Sequence, residues 1–203
     1  PASGRGGRGR ALWGALCGVL VVGVVLRAAL PSSDLPPVND ITTNPQDPPM
    51  FSAALGLPEN TGRDMSYDTA TLAELTRRAY PDLQTLQIPQ PPAAAYAAAL
   101  AAVDALGWQL SASNEAAGQI EARDVSRVFQ FVDDVAIRIR PASSGSAIDL
   151  RSKSRDGRGD LGANAARIRR FRARIPRQGP GGVNKKARRS GPFPEGAGLT
   201  ALR

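Results

Sequence analysis

Histidine is absent from this 203-residue chain, and Cys17 is its only cysteine. The first absence removes His-assisted nucleophilic catalysis and His–carboxylate metal centres. The second removes thiolate zinc sites and intrachain disulfides. Cys17 lies in a hydrophobic run and reads as a small apolar side chain. Leu16 before it, with few apolar residues upstream, does not suit lipoprotein processing. Lysine is also scarce, with three against twenty-three Arg. That excess reads as coding bias, with selection for bidentate anion contacts as the alternative. Aromatic residues make up only 5% of the chain, so the Arg residues have few stacking partners of the kind single strands need. Nucleic acid is not an expected partner, and no cofactor or metal is expected.

The charge that is present is unevenly placed. Residues 1–30 carry four Arg and no acid, and residues 31–120 carry three Arg against ten acids. Residues 121–203 carry nineteen Lys or Arg against eight acids. Residues 11–26 (ALWGALCGVLVVGVVL) are uncharged, and RAAL extends the run to Leu30. Twenty helical residues span about 30 Å, the thickness of the hydrocarbon core, so 11–30 is expected to be a single transmembrane helix. Arg27 would snorkel to the headgroups and Pro31 would end the helix. Arg5, Arg8 and Arg10 precede it while Asp34, Asp40 and Asp47 follow, which places the N-terminus in the cytoplasm and the rest across the membrane. A cleaved signal peptide competes, but R-A-A at 27–29 lacks the small residue wanted at position −3.

Five regions follow from composition and period. Residues 1–10 form a basic N-terminus, 11–30 the transmembrane helix, and 31–64 a proline-rich extended tether. Residues 65–176 form an α+β domain, and 177–203 a disordered basic tail. Within the domain, Leu72, Leu75 and Ala79 recur at helical spacing, with Thr71 and Glu74 in capping-box relation. Tyr96, Leu100, Val103 and Leu106 mark a second helix between Pro92 and Gly107. Trp108, Leu110 and Ala112 alternate, as do Ile120 and Ala122, then Val135, Ile137 and Ile139, then Ile148 and Leu150. Turns at 114–118 and 141–146 separate them, which predicts antiparallel hairpins with one buried face. A last helix from Leu161 to Ile175 aligns Leu161, Asn164, Ile168, Phe171 and Ile175. The expected fold is a small antiparallel sheet of three to four strands with helices on one face, preceded by the transmembrane helix.

No residue qualifies as catalytic. GRGDLG at 157–162 matches the dinucleotide fingerprint G-x-G-x-x-G, but the flanking strands are hairpins, and Asp160 would set a carboxylate against a pyrophosphate. Asp160 instead suits an N-cap. Asn164 places an amide on the buried stripe, with Ser152 and Ser154 as candidate partners. Asp133 and Asp134 are strand neighbours and point to opposite faces. Asp134 shares its face with Arg138 and Arg140, and is expected in a solvated charge network with Glu121, Arg123, Asp149, Arg151 and Lys153. The candidate binding or structural residues are Asp134, Arg138, Arg140, Arg151, Ser154, Arg155, Arg158, Asp160 and Asn164.

Four strings carry a family resemblance: NDITTNPQDPPMF (39–51), AYPDL (79–83), FVDDVAIRIRP (131–141) and SRDGRGDLGANAARIRRF (154–171). Over residues 34–175 the chain resembles the family called domain of unknown function 1499. The resemblance implies a bacterial or plastid-related protein whose relatives often carry N-terminal transmembrane helices. It carries over no activity and no site residues. The expectation is a bacterial inner-membrane protein whose domain faces the periplasm. It would act as a non-catalytic module binding an envelope protein or anionic lipid. The alternative is a small-ligand carrier or a carboxylate- or Ser-dependent hydrolase with a cavity between helices and sheet.

Overall fold

A computed structural model describes residues 5–29, 35–127 and 129–176. The tail 177–203 lies outside the described residues, as do residues 31–34 of the expected tether. The first helix, α1 (Arg5–Ala29), has exposed Leu12, Trp13, Leu16, Val19 and Leu20. Among the described residues no helix is long and apolar enough to cross a membrane, which overturns the expected transmembrane helix. The uncharged run between Arg10 and Arg27 holds only sixteen residues, about 24 Å of helix against the ~30 Å hydrocarbon core.

The remaining elements are β1 (Asp40–Thr42), α2 (Thr69–Ala79), β2 (Leu86–Ile88), α3 (Pro92–Ala105), β3 (Gln109–Asn114), β4 (Gln119–Val125), β5 (Val132–Ala142), β6 (Gly145–Ser154) and α4 (Ala163–Arg174). The six strands form one antiparallel sheet in the order β1-β6-β5-β4-β3, with β2 also paired to β6. This corrects the expected three to four strands. β1 pairs with residues 151–153 and β2 with residues 146–148. Thr43 bridges the gap between them. Its N–H donates to the Leu150 carbonyl and its Oγ1 accepts from the Leu150 N–H, both at 2.9 Å. Both added strands are three residues long, too short to show a period of two.

The β3–β4 and β5–β6 hairpins follow the predicted turns. At 114–118 the chain reverses through Gly118, where φ is +63° and a Cβ would stand 2.2 Å from the Ile139 carbonyl oxygen. Only glycine fits there. Ile120, Val135, Ile137, Ile148 and Leu150 fill one face of the sheet, and α3 and α4 close it. In α3 the buried residues are Ala95, Tyr96, Ala99, Ala102 and Val103, whereas Leu100 and Leu106 are only partly covered. The alanine side chains bring the helix close to the sheet, so its contact stripe is rotated from the expected one. In α4, Asn164, Ile168 and Phe171 are buried, as is Ile175 just beyond it, but Leu161 is exposed ahead of the helix. Trp108 precedes β3 and stacks on Phe171 with ring centroids 5.8 Å apart. β3 is an exposed edge strand with a bulge between Leu110 and Ala112, so the expected Trp108–Leu110–Ala112 alternation breaks there.

The opposite face of the sheet carries the largest departure from the sequence reading. Residues 43–67, assigned mostly to an unpacked tether, form a strap across it. Phe51, Ala54 and Met65 bury themselves against Ala136. Glu121 reaches out of β4 and accepts the backbone N–H groups of Ser52, Ala53 and Ala54 at 2.7–2.9 Å. The Ser52 hydroxyl adds a further bond to Glu121 at 2.5 Å. These N–H groups open a 3-10 turn (Ala54–Gly56), which the carboxylate caps from a distant strand.

Candidate functional site

The charged face under the strap is a set of closed ion pairs. Arg151 is fully buried and donates from Nε and Nη2 to the two oxygens of Asp40 at 2.9 and 2.7 Å. Its Nη2 also donates to the carbonyls of Met65 and Ser66, and its guanidinium lies over Phe51 and Tyr67. Arg138 and Arg140 both donate to Asp149, and Thr85 adds a 2.6 Å bond to the same carboxylate. Burial opposes the charge of Asp149, yet the bonds from Thr85, Arg138 and Arg140 outweigh it and hold this carboxyl below the usual range. Asp134 accepts a bidentate pair from Arg155 at 2.9 and 2.7 Å, and one bond from Asn60. The expected solvated network is therefore corrected: Asp134, Asp149, Glu121 and Arg151 are buried. Period two tells which residues share a face, and says nothing of what covers that face.

The other predicted residues collect at the start of α4. Asp160 accepts from the N–H groups of Gly162 and Asn164, both at 2.8 Å, and so does the capping assigned to it, although Gly162 holds the N-cap position. Those same bonds occupy the N–H groups that a phosphate would need at GRGDLG. Asn164 accepts from Ser152 at 2.6 Å and donates to Ser154 at 2.9 Å. Arg158 is exposed in the loop before α4. The nine predicted residues thus fall into two groups on opposite sides of the sheet, with Arg158 apart from both.

Sequence reasoning missed Arg167 as the centre of the second group. Its Nε donates to Asp124 at 2.8 Å, and its Nη1 to Asn164 at 2.7 Å and to Ser152 at 3.1 Å. Its Nη2 donates to Asp133 in a short bond. Two signals pointed to this cluster. Arg167 lies three residues after Asn164, on the same helix face, and Asp133 shares strand parity with Val135 and Ile137.

Directly above this cluster is a surface cleft of about 330 Å³ between the β4–β5 connection and the loop leading to α4. Asp133, Ser154 and Arg167 form its floor; Phe131, Leu161, Asp156 and Asp160 contribute to its walls. Phe131 and Leu161 are exposed, and Phe129 stacks beside Phe131 at 5.6 Å. Gln130 and Leu161 have φ of +56° and +52°, and among the described residues they are the two non-glycines with positive φ. Both flank this cleft, so backbone strain concentrates where its apolar walls are displayed. Burial pushes the Asp133 carboxyl up, against the opposing pull of Arg167 and Ser154. A second groove of about 420 Å³ runs between α2 and the connections beside β1 and β2, past Ala73, Thr76 and Leu83. Among the described residues no cluster of Cys, Asp and Glu is arranged to hold a metal.

No curated protein matches the chain. Residues 40–175, well over half of its length, match the model of the family described as Protein of unknown function (DUF1499), in line with the resemblance seen in the four strings, and the chain belongs to that family.

Proposed function

We propose that this domain is a non-catalytic binding module that takes a protein partner at the cleft beside α4. One observation carries the reading. The polar floor of the cleft is engaged within the protein, while the apolar side chains of its rim are exposed. Arg167 makes bonds to four side chains, Asp133 is held by Arg167, and the Ser154 hydroxyl receives the Asn164 amide. A general base or nucleophile must be able to turn to substrate; Asp133 is ion-paired to Arg167, and Ser154 is bonded to Asn164 and to Asp133, which weighs against either role. Exposed Phe129, Phe131 and Leu161 instead offer contact area of the kind that anchors an interface. The space between helices and sheet is filled by Val135, Ile137, Leu150, Ile168 and Phe171, each exposed by 1% or less, which weighs against a carrier or hydrolase with its cavity there.

A photo-crosslinking residue in place of Phe131 tests this in cells. The expected result is a discrete heavier adduct, absent when the same residue replaces exposed Ser113 on the β3 edge. Equal or absent crosslinking at the two positions would overturn the reading.

A further inference from the structure

We infer that the segment this cleft receives is a cationic-apolar peptide, with an aliphatic or aromatic side chain against Phe131 and Leu161 and a Lys or Arg beside Asp156 and Asp160. The inference rests on the binding-module reading and names its partner class.

The charges around the cleft decide the sign. Arg167 is the cation in its lining, and it is matched by Asp133 on one side and Asp124 on the other. Arg170 also turns to Asp124, at 3.3 Å. Arg155 is ion-paired to Asp134 on the far face of the sheet and touches the field of Asp156 only at longer range. Arg127 and Arg158 are exposed on the same two loops and do not line the cleft. That leaves Asp156 and Asp160 as the carboxylates of the lining that no side-chain ion pair offsets among the described residues. The oxygens of Asp160 accept two backbone N–H groups and keep further lone pairs.

The shape selects an amphipathic side chain. A Lys or Arg stem lies along apolar surface while its head reaches a carboxylate, and the faces of Phe129 and Phe131 add a cation–π attraction. An acidic segment would meet Asp156 and Asp160 with like charge. An uncharged acyl chain would strip water from both carboxylates and return no hydrogen bond. The rim is also held in place before binding. Ser126 and Phe131 exchange bonds, N–H to carbonyl at 2.8 Å and N–H to Oγ at 2.9 Å. The Gln130 side chain ties back to the carbonyls of Ser126 and Arg127, both at 3.1 Å. A preformed rim lowers the ordering cost of association.

The test uses the full chain, isotope-labelled for amide NMR, with three probes. These are a nine-residue peptide alternating Leu and Lys, the matched peptide alternating Leu and Glu, and vesicles of phosphatidylglycerol. The Leu–Lys peptide is expected to shift the amides of residues 129–133 and 156–162 saturably. Phe131→Ala and Asp156→Asn are each expected to weaken it about tenfold, and both positions are exposed, so the fold and its amide spectrum should survive. Saturable shifts at those amides from the Leu–Glu peptide or the vesicles, without the Leu–Lys peptide, would overturn the inference and leave the binding-module reading standing. Shifts from the Leu–Lys peptide confined to other surfaces would also overturn it. Silence of the cleft amides to all three probes would overturn the inference while crosslinking at 131 still judges the module by itself.

Discussion

Under α3 and α4, strands β5 and β6 present Val135, Ile137, Ile148 and Leu150; on their other face they present Asp134, Arg138, Asp149 and Arg151 beneath the strap. Both faces are largely buried, by different physics. Apolar burial is non-directional and worth about 25 cal/mol per Å², so the first face tolerates small shifts of the helices. Buried charges give no stability unless each is paired with good geometry, so the second face admits one placement of the strap. A strap held this way is specified by where its acceptors stand, not by its own hydrophobicity.

The largest effects should show the two faces costing alike. Phe171→Ala on the apolar side is expected to lose about 3–5 kcal/mol through transfer and cavity losses. Arg151→Ala on the charged side is expected to lose about 3–5 kcal/mol by leaving Asp40 buried without its main partner. Urea denaturation measures both. A near-neutral Arg151→Ala would mean that the strap opens readily, and the comparison would break.

Glu121→Ala should cost less, about 2 kcal/mol, because it removes charge-assisted bonds from a single turn of the strap. Limited proteolysis between residues 50 and 63 should quicken in the same variant while cleavage elsewhere keeps its rate. Uniform acceleration would show that strap and sheet unfold as one unit.

The smallest effects concern pH, and the faces should differ in sign. Asp149 is held below the usual carboxyl range, so its contribution is present above the unfolded value of about 3.9 and is lost as pH falls through the folded one. Asp149→Asn should flatten the acid limb of the stability curve below about pH 4. Asp133 is pushed up, mainly by burial, so its ionisation lowers stability as pH rises from about 3.9 through the folded value. Asp133→Asn should therefore gain on the wild type across that rise. Parallel pH profiles for the two variants would remove the distinction between the faces.

Much of the apolar face was legible in the chain. Val135, Ile137 and Ile139, with Ile148 and Leu150, show the period of two directly, and Gly118 marks the turn before them. The partners of Asn164 were legible too, because Ser152 and Ser154 share parity with Leu150. The strap was not: its proline content suits an extended tether as well as a packed loop. β1 and β2 were invisible because three residues cannot display a period. Arg167 stands among Arg169, Arg170, Arg172 and Arg174, a run that reads as a solvated helix face, although its spacing from Asn164 places it on the buried side. Phe131 and Leu161 became a pair only when two loops 30 residues apart met.

By itself the sequence determined which residues share a face, where two of the hairpins turn, and that His-assisted catalysis and an intrachain disulfide are excluded for these 203 residues, because these follow from local period and from the presence or absence of side chains. The tertiary structure alone decided that the charged face is covered, that Arg167 joins two carboxylates, and that the cleft exists. Each of those depends on contacts between distant segments, which local periodicity does not encode.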